Sequence, residues 1–264
     1  MSATIIVTAV VAALLYGVVA YILLPMAWTH HEHQPGLATR PMVTQTKQGI
    51  PGDALNVGLV GERDAVIRAM NEASWFPADP ITLRSSVEIV GSVLLDRPYK
   101  HAPVSPLYYQ GRVEDLAFEK PSGKSADRRH HVRFWQVLDK GAEGRPVWLG
   151  AVTFDRGVGI SHYTGQVTHH ISPDIDEERD GLINDLKAAK VVEAVYQVSG
   201  IGPTLNGRNG GGDPYWTDGE IGMVRLTPDA APTDKPPQML ETPQIVQWKD
   251  AVMQQLGTTF GAIN

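Results

Sequence analysis

The sequence predicts an α+β fold: a single domain with a largely antiparallel sheet and packed helices, preceded by one N-terminal transmembrane helix. Three observations predict it. Residues 3–24, ATIIVTAVVAALLYGVVAYILL, contain no charge. Apolar residues then recur at helical spacing in the first part of the domain, and from about residue 107 the period changes to two. Helices that cluster early, with strands mostly later, indicate α+β rather than a regular α/β alternation.

The apolar run comes first. Twenty-two helical residues rise about 33 Å, enough to cross a bilayer core, and a helix satisfies its own backbone hydrogen bonds there. Pro25 ends the run and Trp28 occupies an interfacial position. A cleaved signal peptide is the competing reading, with Val18-Val19-Ala20 as its cleavage tripeptide. The segment lacks a basic n-region and is too long for that, so an uncleaved anchor is expected. Ala9, Ala13 and Gly17 form a small-residue stripe, which offers a homodimer contact through the span. The first basic residue after it, Arg40, favours a cytoplasmic domain by charge count. The likeness of the anchor to an export signal left uncut favours the opposite side, outside the cytoplasm, and that is the reading taken.

Residues 26–53, with Pro35, Pro41 and Pro51, read as a linker. Its His30-His31-Glu32-His33 offers ordinary zinc ligands, but a flexible linker does not preorganise them, and a polar interface segment is the reading preferred. Residues 54–228 form the domain, and 229–264 a Pro-rich segment with a C-terminal amphipathic helix. Ala54–Val60 is a short apolar run. Glu62–Ser74 carries Val66, Ala69, Met70 and Ala73 at helical spacing, and Asp79-Pro80 opens a helix with Leu83, Val87, Val90 and Leu94 on one side.

Leu107–Gln110 and Leu116–Lys120 are short strands. Arg129–Leu138 and Val147–Asp155 form a hairpin across a Gly-bearing turn. The expected register sets Phe134 opposite Gly150, Trp135 opposite Leu149, Val132 opposite Val152 and Arg129 opposite Asp155; a shift by two residues is the alternative. Thr164–Ile171 is a strand. Ser172-Pro173-Asp174 opens a helix, with an N-cap, Pro at the first helical position and acidic residues in the first turn, and Ile175, Leu182, Ile183 and Leu186 inward. Val191–Val198 and Glu220–Leu226 are strands, and Asn206–Gly212 between them is a mobile surface loop. Thr242-Pro243 caps a last helix with Ile245, Val252 and Leu256 inward and Gly257 at its end.

Composition excludes some functions. The formal net charge is −6, without the basic footprint of a nucleic-acid binder, and no polybasic patch flanks the span. There is no cysteine, hence neither disulfides nor thiol chemistry. The chain has no G-x-S-x-G, H-E-x-x-H or G-x-G-x-x-G. Asn206-Gly-Arg-Asn-Gly-Gly-Gly-Asp213 lacks the phosphate-loop pattern.

Two histidine pairs remain, His130-His131 and His169-His170. Neighbours in a strand face opposite sides, so each pair puts one imidazole on each face of a sheet. One from each pair, with Asp155, makes a candidate catalytic group (His131, His170, Asp155), and all four histidines are candidate metal ligands. The bland reading is that they are hydrogen-bonded or solvated. Arg84, Lys120, Arg129, Arg133 and Arg156 are candidates for binding phosphate or carboxylate groups, against a structural reading as partners of Glu88, Glu119 and Asp155. If there is a site, it lies where Arg129–Trp135, Phe154–Arg156 and Thr168–His170 meet. No cofactor is indicated.

Seven stretches in order resemble the LssY C-terminal domain family: Leu83–Ser86, Pro103–Tyr108, Asp115–Pro121, Arg129–Trp135, Val147–Gly157, Thr164–Asp174 and Asp213–Gly219. The resemblance covers about residues 52–228. It implies a membrane-associated domain of unknown activity, often joined to multi-spanning proteins that resemble DedA-type proteins or type 2 phosphatidic acid phosphatases. It also implies a bacterial envelope location and a membrane-protein or lipid partner. This chain departs from that plan in having one span and no phosphatase segment. Three functions are carried forward: an accessory module binding an anionic ligand such as a phospholipid headgroup, a His/Asp-dependent hydrolase of a phosphoester or related bond, and a protein-interaction scaffold.

Overall fold

The computed structural model describes residues 3–25, 34–37, 40–78, 106–123, 128–165, 167–199 and 206–261. Helix α1 (Ala3–Val18) continues through a π-helical turn at Val19–Leu23. Strands β1 (Val43–Gln45), β2 (Pro51–Ala54) and β3 (Val57–Val60) precede α2 (Arg63–Glu72). Then come β4 (Phe76–Pro77), β5 (Tyr108–Tyr109), β6 (Arg112–Val113), β7 (Leu116–Pro121), β8 (Arg129–Leu138), β9 (Val147–Ile160) and β10 (Val167–Ile171). Helix α3 (Ile175–Ala188), β11 (Val192–Ser199), β12 (Asn206–Arg208), β13 (Pro214–Trp216), β14 (Glu220–Leu226), β15 (Gln238–Met239) and α4 (Gln244–Gly261) complete the chain.

α1 with its π turn is long and apolar enough to cross a membrane, and none of its side chains is buried by the rest of the chain. The expected helix with Leu83, Val87, Val90 and Leu94 lies outside the described residues, as do Arg84, Trp28 and His30–His33.

The nine-stranded main sheet runs β15-β11-β14-β3-β9-β8-β7-β4, with β10 beside the far end of β9. Among the described strands of this sheet, only β14–β3 and β11–β15 pair in parallel. Along β8–β9 the expected register holds: Phe134 faces Gly150, Trp135 faces Leu149, Val132 faces Val152 and Arg129 faces Asp155. Gly150 is needed there, because a Cβ would sit 2.6 Å from the Phe134 ring. β9 runs five residues beyond the expected end at Asp155, because the chain turns only after Ile160 and β10 returns to pair with that extension.

Each face of the main sheet has its own cover. On one, α2 and α3 bring Val66, Met70, Leu182 and Leu186 against Phe118, Val132 and Val152. On the other, Trp135, Leu149 and Met223 pack against Met42, Leu107 and Tyr109, which belong to or flank a small sheet ordered β2-β1-β5-β6. Residues 40–53, expected as linker from their prolines, therefore carry β1 and all but the last residue of β2. Gln34 is fully buried, its amide donating to Tyr196 Oη at 2.6 Å. These segments are ordered by what they cover, which local pattern does not report.

Three further expectations need correction. The N-cap of α3 is Asp174, whose carboxylate accepts from the Glu177 N–H, so Pro173 lies before the helix rather than in its first turn. Asn206–Gly212 is the end of a β12–β13 hairpin whose closing residues Asn209 and Asp213 are buried, not a mobile surface loop. In α4, Val252 and Leu256 are exposed, while Val246 and Lys249 are buried, and the helix continues past Gly257 to Gly261.

Asn56 joins β3, β9 and α3. Its amide donates to the carbonyls of Val152 (3.0 Å) and Ile175 (2.8 Å), and its oxygen accepts from the Val152 N–H at 3.0 Å. Asn56→Ala would leave three buried backbone groups without that partner. A loss of about 3 kcal/mol is expected, measured by chemical denaturation of the full chain in detergent. An unchanged midpoint would remove Asn56 from this role.

Candidate functional site

The small sheet does not cover the whole face it packs against. Beyond Leu107 a cavity of about 310 Å³ opens between the sheets. Its floor is the far end of β8–β9–β10, which presents Arg129, His131, Arg133, Asp155 and His169. Its walls are Thr46–Gln48 and Asp53 from the β1–β2 hairpin, Ser161 and Thr164 from the β9–β10 turn, and Asn209–Gly211 from the β12–β13 loop.

The period of two decides which residues are on the floor. Arg129, His131 and Arg133 alternate along β8 onto this face, and Asp155 joins them because it is the cross-strand partner of Arg129. His130 is turned to the helical face, where its Nδ1 lies 2.6 Å from Glu178 Oε2 and its ring 4.8 Å from the Phe154 ring. The same rule separates His169, on the cavity floor, from His170, whose Nδ1 lies 2.6 Å from Asp213 Oδ1. The structure thus brings together His131, His169 and Asp155, with Arg129 and Arg133, and places His130 and His170 elsewhere. The grouping of His131 with His170 is not formed. Lys120 binds the Asp185 carboxylate at 2.8 Å on the helical face, and Arg156 is exposed outside the cavity.

The cavity floor is a buried charge network. Arg129 Nη1 donates to Glu119 Oε2 and its Nε to Asp155 Oδ2, both at 3.2 Å. Arg133 Nη1 donates to Asp53 Oδ2 at 3.3 Å. His131 Nε2 and Thr153 Oγ1 are 2.8 Å apart, while His131 Nδ1 lies 3.2 Å from Asp155 Oδ1 in a bent, mainly electrostatic contact. His169 Nδ1 is 4.0 Å from Asp155 Oδ2. Burial alone would raise the Asp155 carboxyl. The charges of His131, His169 and Arg129, with the His131 contact, outweigh it and hold that carboxyl well below the usual carboxylate range.

Two chemical consequences follow. His131 is buried, with its Nε2 against Thr153 Oγ1 and its Nδ1 facing the Asp155 carboxylate, so it acts on Asp155 rather than meeting solvent. His169 has a quarter of its side chain exposed, which makes it the accessible imidazole of the cavity. Leaving the histidines aside, the fixed charges on the lining are Lys47, Arg129 and Arg133 against Asp53 and Asp155, an excess of one positive charge. Asp53, Lys47, Ser161 and Thr164 were not singled out from the sequence. They come from segments far apart in the chain, and only the tertiary fold brings them together.

The chain belongs to the family described as LssY C-terminus, whose model matches residues 36–221. The matched region includes every residue named on the cavity floor and walls. No curated protein matches the chain, and no solved structure does.

Asp155→Asn removes one charge of a buried network and is expected to destabilise the chain by about 3–5 kcal/mol at pH 7. The folded carboxyl titrates below the unfolded one, so its stabilisation is complete above the unfolded pKa of about 3.9 and is lost as pH falls below it. Denaturation midpoints of wild type and variant should therefore converge in acid below about pH 4. A gap that stays constant there would show that the charge of Asp155 is not what stabilises.

Proposed function

We propose that this chain is a single-span, membrane-anchored accessory module of the bacterial envelope. Its domain lies outside the cytoplasm and binds an anionic group, such as a phospholipid headgroup, in the cavity between its sheets. The observation that carries this reading is the convergence of Arg129, Arg133, His131 and His169 on one cavity in a chain whose overall charge is negative. Guanidinium groups held in place by carboxylates bring fixed positive charge and a planar shape suited to phosphate-type oxygens. A cavity near 300 Å³ is at the small end of ligand sites, suited to a headgroup-sized ligand.

The anchor supports a ligand found at or near the bilayer. Residues 26–33 alone separate Pro25, at the end of the span, from the buried Gln34. Eight residues reach at most about 28 Å. The domain therefore stays within roughly a bilayer's thickness of the membrane surface.

A second reading, hydrolysis of a phosphoester or related bond, rests on the His131–Asp155 contact beside the accessible His169. In it Asp155 and His131 would set the electrostatics, and His169 would move a proton.

One experiment separates the two. Full chain in nanodiscs is titrated with inorganic phosphate and glycerol 3-phosphate, and is incubated with a chromogenic phosphomonoester. The binding reading predicts saturable phosphate binding that weakens at least tenfold in Arg133→Met and is unchanged in Lys120→Met, without turnover. Turnover abolished by His169→Ala would establish hydrolysis instead. Absence of binding by any phosphate-bearing probe would overturn both.

A further inference from the structure

The other histidine of the second pair belongs to a different cluster. His170, Asp213 and His162 each offer a ligand atom, and these atoms lie within 4.8 Å of one another. They come from β10, the end of the β12–β13 loop and the β9–β10 turn, and none of them lines the cavity.

The carboxylate is held in place. Asp213 Oδ2 accepts from the Ile171 N–H at 3.1 Å and from the Asn209 amide at 3.4 Å. Asn209 Oδ1 in turn accepts from the N–H groups of Gly211 (3.0 Å) and Asp213 (2.8 Å), which closes the loop around the side chain. That leaves Oδ1 directed at His170 Nδ1, 2.6 Å away. The loop is tied to the histidine turn by the His162 N–H, which donates to the Gly211 carbonyl at 2.8 Å.

Two glycines make room for the two rings. A Cβ at Gly159 would lie 2.1 Å from His170 Nε2, and one at Gly212 would lie 2.7 Å from His162 Cβ. Gly212 also has φ +92°, a backbone conformation that a side chain would strain. The rings themselves are 5.9 Å apart between centroids. Asp213 is buried, His170 half-buried and His162 exposed, so the cluster has one fixed wall and one open side.

We propose that His162, His170 and Asp213 form a binding site for a first-row divalent cation of the zinc class. Two imidazole nitrogens and one carboxylate oxygen are ordinary zinc ligands, and three protein ligands leave a coordination position for water or substrate. Donors around a tetrahedral zinc at about 2.0–2.2 Å are about 3.4 Å apart. The exposed His162 is the ligand that turns inward to close this distance. The metal would take the place of the His170 Nδ1–Asp213 Oδ1 contact, and Asn209 with the Ile171 N–H keeps the carboxylate in place, as outer partners of metal ligands do.

The test uses the untagged full chain in detergent, with His30, His31 and His33 replaced by Ala so that the linker cannot bind metal. Zn2+ alone is titrated by calorimetry, and Co2+ alone by visible absorption. The expected result is one ion per chain, with affinity reduced at least tenfold in His162→Ala and in Asp213→Asn and unchanged in His169→Ala. His162 is exposed, so its loss leaves the fold intact even if Asp213→Asn does not. No stoichiometric Zn2+ binding, or equal affinity in His162→Ala, would overturn the site.

Discussion

The pairing of β8 with β9 is the interaction on which the rest of the structure depends. It is a long antiparallel ladder at the middle of the main sheet, and its register sets three things together. It puts the Phe134 ring over Gly150 and so closes the helical side of the core. It puts Trp135 beside Leu149 under the small sheet. It sets Arg129 against Asp155 at the end where that small sheet stops. A slip by one residue would carry His130 to the cavity and His131 to the helices, and would bury Phe134 on the wrong side.

Asp155 is the residue that turns this register into chemistry. A carboxylate buried in a sheet is costly unless it is paired. Here Arg129 holds one oxygen and His131 approaches the other, while Glu119 and Asp53 engage Arg129 and Arg133. The same network keeps two guanidinium groups rigid at the cavity floor. In the proposed reading, stability and anion binding would draw on the same buried charges, which makes His169, outside the tight part of the network, the better probe of function.

Much of this was legible in the sequence for physical reasons that can be named. The β8–β9 register followed from matching a bulky aromatic with a glycine and an arginine with an aspartate across one hairpin. The split of each histidine pair followed from the two-residue repeat of a strand. What was not legible depended on distant partners. β1 and β2 are strands of three and four residues, β2 opening with proline and glycine, and they belong to the small sheet, whose own or flanking side chains Met42, Leu107 and Tyr109 lie over Trp135 and Leu149. The face of α4 was misjudged because apolar spacing pointed to Val252 and Leu256, whereas the buried Lys249–Glu220 ion pair turns that side outward. His162 and Asp213 carry no local signal; the Asn209 loop and two glycines bring them to His170.

The most direct test of the central claim, that β-strand alternation gives the cavity one imidazole from each pair, is histidine-ring NMR of the full chain in detergent as inorganic phosphate is added. The account predicts that the His131 and His169 ring resonances shift together with saturation, while those of His130 and His170 stay in place. Shifts at His130 or His170 in place of His131 and His169, or no shift at any of the four, would contradict it.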